Sequence, residues 1–391
     1  MILDEMRHMD FASYLKMIRA FTDEELILGE GKMVRAGHVP PELVERMALL
    51  GLFGITLPRE YGGLAWTVEE QVLLTLEFTR ASCVYRSRFS TTIGLCSQLL
   101  LDHGTEAQRE MYLPKMAAGE CVSSFALTEP EAGSDAGNMQ TSAVRDKDSY
   151  VLNGHKRYIT NGAWADLLVV FARAELGPSV FLVARGTPGV STRLPERMNG
   201  HEAGPVAEIE LVDVRVSADN LVGGEEGMGL RMALRGINHA RTHVAATAVG
   251  QATRMLTCAT QHAMTRKQFG TPLVDQGAVQ AMLGRSYAEL AAGRALVLEC
   301  ARAFDRGPIP HHQIAAAKLY CTEMAGDVAD RAMQILGGEA IVGDSPVPRM
   351  WRDLRAMRIY EGTSQIHERN LTRHLVTTTR ANGTTRTSPA E

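Results

Sequence analysis

Between residues 121 and 234 short β-type runs follow one another with only turns between them, and this spacing restricts the fold more than any other feature of the chain. The runs are SYVLNG, KRYIT, DLLVVFAR, SVFLVAR and AEIELVDVRV. Turn residues punctuate them at Asp146-Lys147-Asp148, Asn161-Gly162, Thr187-Pro188-Gly189 and Gly223-Gly224. A parallel βαβ unit needs a long crossover, usually a helix, and the runs leave no room for one. The expectation is a largely antiparallel sheet, closed as a small barrel or sandwich. In the last run Ala207, Ile209 and Leu211 alternate with Glu208 and Glu210, the pattern of a strand with one wet face.

The flanks have a different period. Segments such as PELVERMALLGLFG before the β block place apolar residues three and four apart. After it, Val279, Met282, Leu283, Tyr287 and Leu290 make a stripe close to the helical period. The expected organisation is α+β and mostly helical. A helical domain spans 1–120, a β domain 121–234 and a helical bundle 235–378. The polar stretch 379–391 is expected to be a disordered tail.

Charge and cysteine usage remove several function classes. A net charge of −4 leaves no basic excess for phosphate backbones, so no nucleic-acid partner is expected. No run reaches the 18 apolar residues of a membrane span, and the N-terminus lacks the apolar core of a signal peptide. The six cysteines form no C-x-x-C pair, which suggests buried thiols in a reducing compartment. A cytoplasmic protein without a metal centre is the expectation. G-x-G-x-x-G after a strand, Walker, H-E-x-x-H and G-x-S-x-G patterns are all missing.

Four stretches carry candidate chemistry. FALTEPEAGSD (125–135) is a Pro- and Gly-fixed turn whose N–H groups suit acceptor atoms of a ligand; it also suits a plain surface loop. NGHKRYITNG (153–162) sets Tyr158 and Thr160 two apart, on one face of a strand, or is a hairpin edge. TRKQFG (265–270) resembles a helix C-terminus closed by Gly270, with Arg266 available for a phosphate or for the helix dipole. RIYEGTSQIHERN (358–370) holds a single acid between Tyr360 and Gly362, Glu361, at a break between helices. Met350, Trp351, Leu354 and Met357 form an apolar stripe on the helix before that break.

Taken together, these stretches resemble the acyl-CoA dehydrogenase family of FAD flavoenzymes. ALTEPEAGSD resembles the first family signature and QILGG…RDLRAMRIYEGTSQIH the second, with LPREYGG, ITNG and RKQFG at the expected intervals. The resemblance runs in one frame over about residues 10 to 378. It implies an N-terminal helical domain, a middle antiparallel β-barrel domain and a C-terminal four-helix bundle, with FAD between the last two. It places Phe125, Leu127, Thr128, Gly133 and Ser134 along one edge of the flavin. Tyr158 and Thr160 would face the ring; many relatives carry Trp where Tyr158 stands. Thr363 and Gln365 would line the pyrophosphate side. Arg266, Gln268, Phe269, Gln334, Gly337 and Gly338 would reach the FAD of a neighbouring subunit in a homotetramer built as a dimer of dimers.

The same resemblance makes Glu361 the base that takes the α proton of an acyl-CoA or acyl-carrier thioester, with Tyr360, Gly362 and Arg241 near the substrate. The β hydrogen would leave as hydride to FAD, and electron-transferring flavoprotein would reoxidise it. Burial beside an acyl chain should raise the pKa of Glu361. Arg86 and Ser90, four apart in CVYRSRFSTTIG, resemble the pair with which glutaryl-CoA dehydrogenases hold a distal carboxylate. That makes a dicarboxylyl substrate, with decarboxylation, an alternative. An oxygen-using flavin oxidase or monooxygenase on the same fold is another, although such relatives usually lack or replace the Glu361 equivalent.

Overall fold

The structure, a computed structural model, describes residues 4–307 and 311–384. Two compact units divide at a bond inside one helix: Met1–Ala240 and Arg241–Glu391.

The first unit opens with helices α1 (Asp4–His8), α2 (Phe11–Phe21), α3 (Ile27–Ala36), α4 (Pro41–Leu49), α5 (Val68–Phe78), α6 (Cys83–Thr91), α7 (Ser97–His103) and α8 (Glu106–Ala117). Local chemistry starts and stops them. Asp10 caps α2 by accepting from the Ser13 N–H. Thr67 with Glu70, and Thr105 with Gln108, form reciprocal capping boxes at α5 and α8. Pro41 opens α4, and Gly37 closes α3 in the left-handed conformation. π-helical turns at Thr22–Leu26 and Thr92–Cys96 shift the helical phase.

Strands β1 (Ser123–Ala126), β2 (Ser142–Asp146), β3 (Ser149–Thr160), β4 (Leu167–Ala174), β5 (Gly177–Ala184), β6 (Val190–Arg193) and β7 (Val206–Ser217) form one curled sheet in the order β1-β4-β2-β3-β7-β6, with β5 paired to β4. Four pairings are antiparallel, but β1 and β2 each run parallel to β4. The expected antiparallel barrel is therefore a mixed one. Short links rule out parallel pairing only between consecutive strands; β1 meets β4 after the chain has passed through β2 and β3. The alternation in β7 holds through Leu211, with Ala207, Ile209 and Leu211 buried. A bulge at Asp213, in the left-handed conformation, then resets the phase so that Val214 and Val216 face inward. One core lies within the curled sheet, built from residues such as Leu152, Val170, Phe181 and Ile209. Another joins its outer face to α7 and α8 through Leu99, Leu113, Phe171 and Leu182.

Helix α9 (Gly229–Thr265) carries the chain into the second unit, followed by strands β8 (Lys267–Gln268) and β9 (Thr271–Pro272) and helices α10 (Gly277–Arg306), α11 (His311–Leu336), α12 (Glu339–Val342), α13 (Val347–Met357) and α14 (Ser364–Thr384). Helix α11 is the central one and packs against α10, α13 and α14. Its alanines permit close approach, and a side chain at Gly293 of α10 would press on Met324 of α11. Three expectations change here. Gly270 is not a helix cap: with Phe269 it forms the turn of the β8–β9 hairpin, both residues having positive φ. Trp351 is half-exposed, one position off the buried line of Val347, Met350, Leu354 and Met357. Helix α14 continues to Thr384, into the stretch expected as tail; 385–391 lie outside the described residues.

Candidate active site

The turn between α13 and α14 is built tightly. The N–H groups of Ile359 and Tyr360 both return to the Ala356 carbonyl, ending α13. Glu361 follows at φ 56° and Gly362 at φ 94°, two successive left-handed residues. Such a conformation costs a non-glycine residue about 1–3 kcal/mol and persists only where its surroundings impose it. Thr363 then caps α14, its hydroxyl accepting from the Ile366 N–H at 3.4 Å. Arg358 and Ser364 rivet the two ends of the turn to one carboxylate of α11. Arg358 Nε lies 3.0 Å from Glu323 Oε2, and the Ser364 hydroxyl donates to Glu323 Oε1. Gly326, one turn further along α11, leaves the space that the Arg358 guanidinium occupies.

Two cations, Lys318 buried and Arg241 part-buried, grip the turn from the other side. Arg241 Nε donates to the Glu361 carbonyl at 3.0 Å, and Lys318 Nζ donates to the Gly362 carbonyl at 2.7 Å. Lys318 is wholly buried on α11. Burial pushes its amine down to about 8, against the pull of Glu361. Burial also lowers Arg241, with Glu361 opposing. The Glu361 carboxyl is raised by burial, and Arg241 and Lys318 only partly offset this. His367, buried on α14 beside Gly362, is pushed down to about 4 by burial and by the two cations, so its ring is neutral near pH 7. The Glu361 N–H meets no acceptor among the described residues. The turn thus presents a carboxyl with a raised pKa and a free N–H on an imposed backbone. Those are the parts needed to move a proton next to a carbonyl.

Of the residues expected from sequence, Glu361, Gly362 and Arg241 come together in this cluster, with Tyr360 half-exposed beside them. Thr363 and Gln365 stand at the start of α14, Gln365 exposed. Lys318 and His367 were not anticipated. The available signal was one lysine in the alanine-rich stretch QIAAAKLYC and one histidine within the second signature. Neither revealed a contact made across more than forty residues in the case of Lys318.

The first unit holds a separate set. Phe125, Leu127 and Thr128 are part-buried, whereas Gly133 and Ser134 are exposed, with open space around Gly133. Beneath this loop Lys156 meets Glu129 at 2.7 Å, both buried, and Lys156 Nζ also donates to the Leu127 carbonyl at 3.2 Å. Burial pushes the Lys156 amine down to about 8, opposed by Glu129. Burial works against ionisation of Glu129. The hydrogen bonds from Lys156 and from the Thr141 and Gln140 N–H groups outweigh it, holding the carboxyl below its usual range. Tyr158 stands on a β3 bulge at φ 59° with its ring 61 % exposed, and Arg157 covers it at 4.9 Å. The bulge breaks strict alternation, so the two-residue spacing alone does not put Tyr158 and Thr160 on one face. Asn161 donates to the Ser87 carbonyl at 2.9 Å, tying this end of β3 to α6, which carries buried Arg86 and part-buried Ser90.

Arg266, Gln268 and Phe269 lie on the exposed β8–β9 hairpin, Phe269 at its tip and 96 % exposed. Gln334, Gly337 and Gly338 are exposed at the end of α11. Among the described residues no group of three or more His, Cys, Asp or Glu could hold a metal, and no helix is long and apolar enough to cross a membrane.

Family models match in three consecutive blocks: the acyl-CoA dehydrogenase N-terminal domain over residues 10–120, the middle domain over 124–214 and the C-terminal domain over 227–376. The chain is 36% identical over 378 residues to an acryloyl-CoA reductase (NADH) of Anaerotignum propionicum, covering 93% of this chain and 95% of that protein. It is 35% identical over 361 residues to the caffeyl-CoA reductase-Etf complex subunit CarC of Acetobacterium woodii, covering 90% and 94%. A glutaryl-CoA dehydrogenase from Mycobacterium smegmatis, solved in complex with FADH2, superposes with a TM-score of 0.89 at 29% identity, covering 95% of this chain and 96% of that one. This chain belongs to the acyl-CoA dehydrogenase family, flavoprotein oxidoreductases that act on acyl-CoA thioesters.

Proposed function

We propose that the chain dehydrogenates an acyl-CoA, or an acyl group on a carrier protein, between Cα and Cβ, giving the trans-2-enoyl thioester. Glu361 takes the α proton. The observation that carries this reading is the Glu361–Gly362 turn, with its raised carboxyl and unengaged N–H on a left-handed backbone. A thioester α C–H is a very weak acid, so its removal needs a base tuned toward the working pH and a donor for the charge that develops on the carbonyl oxygen. Glu361 supplies the first through its side chain and the second through its N–H. Gly362 leaves room for an acyl chain beside the backbone.

The residues of the first unit fit a flavin. Tyr158 offers an exposed ring, Thr128, Ser134 and Thr160 offer hydroxyls, and Phe125 and Leu127 offer apolar contact beside the open backbone of Gly133. On the second unit, Thr363 and Gln365 offer polar groups at the start of α14, and Arg266, Gln268, Phe269, Gln334, Gly337 and Gly338 would serve the FAD of a second copy. FAD, when bound, accepts the β hydrogen with its electron pair. Exposed Phe269, Tyr287, Ile341, Val342 and Leu375, all on the second unit, support self-association, and a homotetramer is our reading. Electron-transferring flavoprotein is the proposed electron acceptor, since one relative is named as part of a reductase-Etf complex. Both relatives described above are named reductases, and the same Glu361 would return the α proton if the reaction runs from enoyl to acyl.

A second reading rests on Arg86. It is buried on α6, close enough to His239 to lower that ring's pKa, and would hold a distal carboxylate as in glutaryl-CoA dehydrogenases. Anaerobic bleaching of the purified yellow protein with butyryl-, isobutyryl-, octanoyl- and glutaryl-CoA tests both readings. Bleaching by glutaryl-CoA alone, lost in Arg86→Ala, would favour the second. Glu361→Gln should keep FAD and lose bleaching; normal turnover by that variant would overturn the role of Glu361. Rapid oxygen consumption in place of transfer to electron-transferring flavoprotein would point to an oxidase.

A further inference from the structure

We propose that Lys318 is a positioning residue for Glu361: with Arg241 it holds the two consecutive carbonyls of the Glu361–Gly362 turn and so fixes where the carboxyl points. The inference rests on the reading of Glu361 as the base. The two grips are nearly equal, 3.0 Å from Arg241 Nε to the Glu361 carbonyl and 2.7 Å from Lys318 Nζ to the Gly362 carbonyl. They come from different helices, α9 and α11, so the turn is fixed from two directions. A residue in the left-handed region needs surroundings that over-determine it; Arg241 donates to the Glu361 oxygen and Lys318 to that of Gly362, with the His367 ring beside both.

A merely structural lysine explains the site less well. Lys318 has no exposure and sits among alanines on the central helix, where an apolar side chain of similar length would fill the same space. Burying an ammonium is costly even after relaxation, and a single neutral carbonyl returns little of that cost. Among the described residues no carboxylate lies within ion-pair distance of its Nζ. The charged and titratable groups facing it are Glu361 on the turn, Arg241 on α9, Glu323 on α11 itself and His367 on α14. Glu323 is already engaged by the Arg358 guanidinium and the Ser364 hydroxyl, which leaves Glu361 as the carboxylate that the buried charge serves. The positive charge favours the ionised, proton-accepting form of Glu361, and the hydrogen bond holds the backbone that aims it.

Lys318→Met, made in the holoenzyme, removes both the donor and the charge at nearly constant length. We expect it to bind FAD and melt cooperatively, with kcat down about tenfold or more, KM within about threefold, and the acid limb of kcat/KM moved to higher pH. Lys318→Arg, which keeps a charged donor, should recover part of kcat and return the limb. Independently of turnover, the infrared C=O band of the protonated Glu361 carboxyl, identified as the band absent from Glu361→Gln, should appear at higher pH in Lys318→Met than in the parent. That band separates the two claims: if Glu361→Gln turns over normally, the base assignment fails, while the band still reports whether Lys318 acts on Glu361. An unmoved band with unchanged kcat in a folded, FAD-loaded Lys318→Met would overturn the proposal, as would Lys318→Arg proving no better than Lys318→Met. Should Lys318→Met not fold, Lys318→Gln, a neutral donor, carries the same test: its band must move up while kcat falls less than in Lys318→Ala.

Discussion

Lys156 and Glu129 face each other at 2.7 Å with scarcely any solvent on either side chain, directly under the loop that carries Leu127 and Thr128. A pair this dry contributes little net stability, but losing one member strands the other. Lys156→Met should destabilise the protein by about 3–5 kcal/mol in urea titration. The double variant Lys156→Met/Glu129→Gln should recover a good part of that. Equal losses in the single and double variants would show that packing, not charge, dominates here.

At Gly362 the constraint is steric as well as conformational. An added Cβ would stand 3.1 Å from His367 Nε2 and 3.5 Å from Arg241 Nη2, at a φ of 94°. Gly362→Ala should cost about 1–3 kcal/mol in thermal or urea unfolding. It should lower turnover more than its stability loss accounts for, because the neighbouring Glu361 shifts with it. A variant with parent-like kcat would show that the turn tolerates the methyl group.

Gly326 answers to a different neighbour. A methyl group there would collide with the Arg358 guanidinium and push it from its bond to the Glu323 carbonyl at 3.1 Å. Gly326→Ala should destabilise by about 1–3 kcal/mol, the usual cost of overpacking. Differential scanning calorimetry of that variant beside Arg358→Lys checks whether the clash or the lost ion pair is responsible.

Acid should weaken the fold through two histidines. His239 is pushed down to about 3 and His367 to about 4, chiefly by burial, whereas free histidine titrates near 6.5. Between those values the unfolded chain binds protons that the folded chain refuses. Stability from each ring is thus complete above pH about 6.5 and is lost as pH falls, at up to about 1.4 kcal/mol per pH unit per ring. Melting temperatures at pH 7, 6 and 5 should fall steadily, and less steeply in His367→Gln. A flat profile in the parent would contradict the buried, neutral rings.

Phe269 extends an almost fully exposed ring from a hairpin tip. Phe269→Ser should leave the melting of a single chain unchanged while reducing both oligomer size in light scattering and the FAD retained after gel filtration. An unchanged assembly would remove the hairpin from the interface.

Much of this was legible where the signal is local. Capping residues such as Thr67 and Thr105, the alternation of Ala207, Ile209 and Leu211, and the helix break at Glu361 all act within a few positions. Local signal misleads where one pattern serves two geometries. A glycine after a helical run looks alike as a helix cap and as a hairpin turn, and Gly270 is the latter. Trp351 has the composition of a core residue but lies one position off the buried line. Strands β2 and β6 were missed because SAVRD and VSTR carry too few apolar residues to stand out. The parallel pairing of β1 with β4, and the hold of Lys318 on Gly362, arise only after distant segments meet.

The two grips on the turn also bear on the order in which the protein folds. The Arg241 contact spans 120 residues and the Lys318 contact 44. Contacts that close long loops form late, because the chain entropy they consume must first be offset by nearer packing. The carboxyl of Glu361 would therefore stay on a loose, solvated loop until α9, α11 and α14 have docked. A partly folded chain would hold every residue of the site yet lack the basicity that burial confers. Recovery of activity on refolding should lag behind recovery of helical signal, and the interval between them would time the closing of this turn.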